Sequence, residues 1–224
     1  VILSVCPPHA AEEVARDVQA LGFRGLYVDA NAISPARAKR IGELMASGGV
    51  TFVDGGIIGG PAWQPQSTWL HLSGEQAGTV ASLFAGGPLE TNVLSDQIGD
   101  ASAIKMCFAA YTKGRTALLC AILGTAEMLG VREALAEQWT WIGFDLVEEA
   151  PERARRVTAK AWRFAGEMEE ISATFEAAGL PGGFHQAAGE IYRRLAGFKD
   201  EPAVPTLEQV LAALTDENGT GNMQ

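Results

Sequence analysis

Residues 26–54 read LYVDANAISPARAKRIGELMASGGVTFVD, and this stretch sets the fold class. Leu26-Tyr27-Val28-Asp29 and Thr51-Phe52-Val53-Asp54 are apolar runs of strand length, each closing on an aspartate. Between them, Ser34-Pro35 has the form of a helix start: a serine to cap, then a proline whose fixed φ suits the first helical position. The helix is predicted to run to about Ala46, where Gly48-Gly49 breaks it. Working outward, Val1-Ile2-Leu3-Ser4-Val5 reads as a buried parallel strand stopped by Cys6-Pro7-Pro8. From His9 to Leu21 a helical period places Val14, Val18 and Leu21 on one face. Strand, helix, strand, helix, strand argues for a parallel sheet with helices packed on it. Such sheets bind ligands beyond the carboxyl ends of their strands. That directs attention to Cys6–Pro8, Asn31–Pro35 and Gly55–Pro61.

Further along, Trp69–Ser73 is a strand, Gln76–Phe84 a short helix and Asn92–Leu94 a last strand. The pattern then changes. From Ala101 to Leu129 there is no proline and one apolar face follows another, as in a long helix buried between other elements. Helices are predicted over Val131–Trp139, Pro151–Gly179, Phe184–Ala196 and Leu207–Leu214, and Thr215–Gln224 is polar and expected to fray. The expected architecture is an α/β part, a parallel sheet with helices packed on it, over residues 1–98. An all-α part over 99–224 is built on the long interdomain helix.

Composition excludes several classes. A net charge of -10 over 224 residues disfavours a phosphate backbone, so no nucleic acid is expected as a partner. The local basic clusters Arg153, Arg155, Arg156 and Arg193, Arg194 suit solvated helix faces. Three scattered cysteines and three scattered histidines suggest neither a disulfide framework nor a metal site. The longest apolar stretch, around Leu118–Leu123, is too short for a bilayer, no signal peptide is visible, and a cytoplasmic location fits best.

Several segments, taken in order, resemble the 3-hydroxyacid dehydrogenases, the superfamily of 3-hydroxyisobutyrate and 6-phosphogluconate dehydrogenases. Val5-Cys6-Pro7-Pro8 resembles the family's strand that ends in a Pro-containing loop near the nicotinamide. Asp29-Ala30-Asn31-Ala32-Ile33-Ser34-Pro35 resembles its Asp-x-Ser-Thr-x-x-Pro segment. Asp54-Gly55-Gly56-Ile57-Ile58-Gly59-Gly60 resembles the substrate loop Asp-Ala-Pro-Val-Ser-Gly-Gly. Gly99 with Lys105 resembles the catalytic Gly-x-Gly-x-x-x-Lys, and Glu167–Ile171 falls where the family has Lys-Asp-Leu. The second half, from Ala103 to Gly114, is similar to a bacterial subgroup with a phosphogluconate-dehydrogenase-like C-terminal domain of unassigned substrate. The family's opening Gly-x-Gly-x-x-Gly turn has no counterpart here, and residue 1 is valine. The resemblance therefore implies an N-terminally truncated chain, short of on the order of 30 residues or more, in which residues 1–98 are the C-terminal, later part of a Rossmann-like doubly wound α/β sheet.

The resemblance implies hydride transfer between NAD or NADP and a 3-hydroxy acid or related carbonyl, with a possible later decarboxylation. Lys105 is then the general acid/base, because the hydroxyl proton must leave and return, and a lysine serves when partial burial brings its pKa toward neutrality. Read from the residues alone, Lys105 is a snorkelling lysine with its head in solvent, and the catalytic role comes from the resemblance. Gly59 and Gly60 would let backbone N–H groups approach a substrate carboxylate, with Ile58 beside them at the family's serine position. The family's asparagine one turn past the lysine is Ala109 here, which leaves Lys113 as a candidate substrate contact. Cys6, Pro7, Pro8, Asn31 and Glu169 are the expected cofactor contacts. Asn31 also suits an Asx turn, and Glu169 a solvated face. Partners are expected to be a small-molecule substrate and a second copy of the chain, through the helical part, with no membrane. Two alternatives stand: an imine-reducing relative, and a non-catalytic helical dimerisation module.

Overall fold

The computed structural model describes residues 1–216, so the end of the expected C-terminal fray lies outside the described residues. Its elements follow the predicted order. β1 (Ile2–Ser4) leads through a 3-10 turn (Pro8–Ala10) into α1 (Ala11–Ala20). Next come β2 (Leu26–Asp29), α2 (Pro35–Ser47) and β3 (Thr51–Gly59), then β4 (Thr68–Ser73), α3 (Ala77–Leu83) and β5 (Glu90–Ser95). The helical run is α4 (Asp100–Met128), α5 (Arg132–Ile142), α6 (Leu146–Ala177), α7 (Gly183–Arg194), a 3-10 turn (Ala196–Phe198) and α8 (Leu207–Thr215).

The five strands form one sheet in the order β1-β2-β3-β4-β5. β1, β2 and β3 are parallel neighbours, β4 is antiparallel to β3, and β5 is parallel to β4. Alternating side chains give the sheet two cores. Tyr27 and Phe52 pack with Ala11 and Ala15 of α1 and Ala38, Ile41 and Met45 of α2. Val28, Val53, Leu70 and Leu72 point the other way and pack with Ala77 and Val80 of α3. This two-sided burial is why the first strands read as continuous apolar runs.

Two elements differ from expectation. β3 does not end at Asp54: it continues through Gly55 and Gly56 to Gly59, because β4 returns alongside it in antiparallel register from Asp54↔Ser73 to Gly59↔Thr68. The short link between these strands permits a hairpin but not a parallel crossover, which needs a dozen or more residues. α6 starts at Leu146 and carries Pro151 inside it, rather than starting there. The proline lies in the second turn, where the helix gives up one bond to the Val147 carbonyl and continues.

The chain forms two compact units, Val1–Ala109 with Glu170–Gly182, and Ala110–Glu169 with Gly183 onward. Both α4 and α6 therefore contribute to each unit. In the second unit Tyr192 Oη donates to the Lys113 carbonyl at 2.7 Å. Arg155 Nε donates to the Pro205 carbonyl at 2.8 Å, and a reciprocal Thr206–Gln209 capping box starts α8. The basic clusters are spent on ion pairs: Arg153 with Glu149, Arg156 with Glu152, and Arg193 with Glu169 and Glu190. Among the described residues, no helix is long and apolar enough to cross a membrane. Among the same described residues, no group of three or more His, Cys, Asp or Glu could hold a metal ion.

Candidate active site

In the first unit the start of α4 is fixed by a carboxylate from the sheet. Asp54 is fully buried, and its Oδ2 accepts from Gly99 N at 3.0 Å, Ser102 N at 2.9 Å and Ser73 Oγ at 3.1 Å. Its Oδ1 accepts from Ser102 Oγ at 2.6 Å. Ser73 Oγ in turn accepts from Ala101 N at 3.1 Å. The first N–H groups of a helix have no intrahelical partner and favour negative charge, so a strand carboxylate serves here as a distant cap. Burial pushes the Asp54 carboxyl up, and the hydrogen bonds from Ser102 oppose that. Sequence reading noted Asp54 as the end of a strand and missed this role.

The anchored helix carries Lys105 one turn further on. Its Nζ donates to the Ile57 carbonyl of β3. Gly56 makes this possible. A Cβ there would lie 2.5 Å from the Ala101 carbonyl and 3.1 Å from the Lys105 Cβ, so a larger residue would lift α4 off the strand. Gly59, at φ +127°, closes the strand beside Ser67 and Thr68 in a conformation that L residues avoid. Gly60 faces open space, and its carbonyl accepts from Thr68 Oγ1 at 2.6 Å. Ile58 is half-buried at the adjacent position.

The carboxyl ends of β1 and β2 are stitched together. Asn31 is buried, and its Oδ1 accepts from Cys6 N at 2.5 Å while its Nδ2 donates to Ser4 Oγ at 3.1 Å. Its own N–H donates to Asp29 Oδ1 at 3.0 Å, as in the expected Asx turn. The Asn31 amide thus holds the Cys6-Pro7-Pro8 loop from beneath. The Cys6 thiol is raised by burial. Asp29 is buried, its Oδ2 has no hydrogen-bond partner, and its pKa is pushed up to about 6, first by burial and further by Asp54 on the neighbouring strand.

A second tie comes from α6. Glu170 is buried, its Oε2 accepts from Ser34 N at 2.8 Å, and its Oε1 pairs with Arg37 at 2.8 Å. Arg37 also donates to the Pro8 carbonyl at 2.9 Å. One ion pair therefore holds both loops at the carboxyl ends of β1 and β2. Glu169, the position expected near the cofactor, is exposed and pairs with Arg193 at 2.9 Å in the second unit. Nothing in a Glu-Met-Glu-Glu run distinguishes the two neighbours. Only helical phase and burial do.

Lys113 lies in the second unit and pairs with buried Glu167, with its Nζ 4.5 Å from the Phe164 ring centroid. His185 of the same unit is buried against α4 at Gly114, and burial lowers its pKa.

Residues 126–195 match a domain of unknown function, DUF1932, a C-terminal domain of 3-hydroxyisobutyrate dehydrogenase-like proteins. The chain is 31% identical over 138 residues to an uncharacterized 28.5 kDa protein in the 7S RNA 5' region of Methanothermus fervidus, covering 61% of this chain. It spans about half of that relative's length, 52%. The solved structure of the conserved protein MTH1747, of unknown function and reported as structurally similar to 3-hydroxyacid dehydrogenases, is 31% identical. The match covers 88% of this chain and 75% of that one, with a TM-score of 0.62. A Mycobacterium tuberculosis 3-hydroxyisobutyrate dehydrogenase shares the fold at 18% identity and a TM-score of 0.59, covering 96% of this chain and 79% of that one.

The chain belongs to the 3-hydroxyacid dehydrogenase superfamily. Within the second half, the DUF1932 match is confined to residues 126–195.

Proposed function

We propose that the chain serves an NAD(P)-dependent oxidoreductase acting on a 3-hydroxy acid or related carbonyl, with Lys105 as its general acid/base. The observation that carries this reading is the seat of Lys105. The lysine stands over Gly56, with its Nζ on the Ile57 carbonyl, at the end of β3 that leads to Ile58, Gly59 and Gly60. A carbonyl oxygen bound there would receive a proton from the Lys105 ammonium. In the opposite direction the neutral amine would take the hydroxyl proton. Gly60, open on its surface, leaves room for a substrate carboxylate to approach the backbone.

A nicotinamide cofactor, when bound, supplies or accepts the hydride. The residues present fit its nicotinamide end. Cys6, Pro7 and Pro8 form the loop after β1, and Asn31 and the Glu170–Arg37 pair hold that loop against the end of β2. No residue from 1 to 98 matches the glycine-rich turn that would hold a pyrophosphate, so the choice between NAD and NADP is not assigned to any residue here. Glu169 and Lys113, both in the second unit, are ion-paired within it and would reach a ligand only by exchanging those partners.

We also propose that the helical part forms a homodimer. Leu118 and Met128 of α4, Leu129 just past its end and Phe184 of α7 are exposed apolar side chains, and Leu118 and Phe184 border an apolar cavity of about 440 Å³ with Ala121 and Ile191. Lone exposed leucines are ordinary, but a contiguous row suits a partner surface.

The test of the first reading is Lys105→Ala assayed in the full-length protein against a panel of 3-hydroxy and 3-keto acids with both nucleotides. Turnover is expected to fall by roughly 10²–10⁴ with nucleotide affinity unchanged. Undiminished turnover would remove Lys105 from the chemistry. Sedimentation of Leu118→Lys tests the dimer: the variant should be monomeric where the parent is not.

A further inference from the structure

β4 carries side chains that neither the core nor the proposed chemistry uses. Its inward residues Leu70 and Leu72 are fully buried with Val53 and Val80. The alternate residues, Ser73, His71 and Trp69, leave by the opposite face. Residues directly opposite in an antiparallel pair point to the same side. Ser73, His71 and Trp69 stand opposite Asp54, Gly56 and Ile58, so all six share one face. That face is the one on which α4 begins: Ser73 Oγ accepts from Ala101 N, and Gly56 lies under Ala101 and Lys105. His71 and Lys105 are therefore both immediate neighbours of Gly56, one across the hairpin and one above it. Trp69 extends the row beside Ile58.

The row is chemically specific. Asn92 of β5, opposite His71 in the sheet, donates its amide Nδ2 to His71 Nδ1 at 3.2 Å. An imidazole that accepts at Nδ1 and is neutral must carry its proton on Nε2, where it is a donor. Burial favours that neutral form by lowering the ring's pKa. The Trp69 indole lies nearly parallel to the imidazole, with centroids 6.3 Å apart and planes at 16°, and is 41% exposed. A flat apolar surface and a fixed neutral donor thus occupy adjacent positions of one sheet face, and the Lys105 ammonium reaches the same hairpin from α4 at the Ile57 carbonyl.

We propose that His71 and Trp69, with Asn92 fixing the imidazole tautomer, are the specificity-determining residues beside Lys105, and that they select substrates whose carboxylate or carbonyl is conjugated to a flat aromatic or unsaturated group. The proposal rests on the reading of Lys105 for its place in a reaction, but not for its binding chemistry. His71 Nε2–H supplies a hydrogen bond to the oxygen that Lys105 does not serve, and Trp69 stacks on the flat group. Saturated acids of the same size gain the charge contact without the stack.

The test uses benzoate and cyclohexanecarboxylate as probes of equal charge and similar size, with the 224-residue chain labelled for detection of imidazole and indole nitrogens by NMR. Benzoate should shift the His71 and Trp69 resonances with millimolar affinity, roughly fivefold tighter than cyclohexanecarboxylate. His71→Phe keeps a ring for stacking but removes the donor, and should weaken benzoate roughly fivefold. Trp69→Leu keeps apolar bulk but removes the plane, and should make the two probes equal. Either resonance set staying still under benzoate, or His71→Phe binding benzoate as the parent does, overturns the proposal. Its failure is separate from failure of the Lys105 reading, which is decided by turnover of Lys105→Ala and not by probe binding.

Discussion

Asp29 and Asp54 are register partners on the adjacent parallel strands β2 and β3, both buried, yet they meet different treatment. Asp54 receives four donors: the N–H groups of Gly99 and Ser102 and the hydroxyls of Ser73 and Ser102. Asp29 receives the Asn31 N–H on Oδ1 and nothing on Oδ2. The first is an anchor, since its charge is compensated by dipoles that would otherwise be unsatisfied. The second is a stored cost, with its pKa pushed up to about 6. Burial raises the carboxyl of both, and the two differ in how many donors meet the charge.

Removing the anchor should have the largest effect. Asp54→Ala strands two helix-start amides and two hydroxyls in the interior and is expected to cost about 5 kcal/mol, read by denaturant unfolding. Asp54→Asn, which keeps an acceptor, should cost clearly less. If alanine and asparagine cost the same, the caps are not what holds α4. Glu170→Ala leaves the Arg37 guanidinium without its carboxylate and Ser34 N without an acceptor, and should cost about 3–4 kcal/mol. A smaller loss than that of an exposed pair would mean the tie is ornamental.

Asp29→Asn is expected to stabilise. A carboxyl whose folded pKa exceeds its unfolded value of 3.8 contributes most below that value, and its contribution is lost as pH rises through about 6. The gap corresponds to about 3 kcal/mol, so the variant should gain up to that amount at pH 7 and nothing below pH ~3.5. The difference in unfolding free energy between parent and variant, followed from pH ~3.5 to 7, isolates this group. A flat difference would place Asp29 with Asp54 as a compensated charge. The smallest effect is expected at Glu152, which pairs with Arg155 and Arg156 on the exposed face of α6. Glu152→Ala should change stability by under about 1 kcal/mol and calibrates the buried sites.

How much of this was legible in sequence depends on whether an interaction is local. β2 is bounded by the residues its apolar run shows, and α2 starts on the Ser34-Pro35 signal. α4 matches the proline-free stretch to within a residue at each end, because a long run with no breaker leaves little choice. The extension of β3 was hidden, since Gly55-Gly56 reads as a loop until an antiparallel partner supplies the ladder. Within the candidate site, Lys105 and the glycines near it could be singled out by their resemblance to a family pattern. The caps could not. Asp54 reaches an amide 45 residues away and Glu170 one 136 residues away, and no periodicity records such distances. The difference between Glu169 and Glu170 is one step of helical phase, which composition does not carry.

The bond from Ser34 to Glu170 also has a meaning in time. At about 5–20 residues per second, a ribosome needs roughly 7–27 s to advance from one partner to the other. Within that interval β3, β4 and β5 are synthesised and can complete the sheet, but the N-terminus of α2 and the Arg37 guanidinium still await their carboxylate. The first unit is thus finished by a segment that emerges only after α5 and most of α6. A nascent chain halted before residue 170 would present the two candidate cofactor loops untied, so a protease directed at the Pro8 or Ser34 loops would report the moment at which the unit closes.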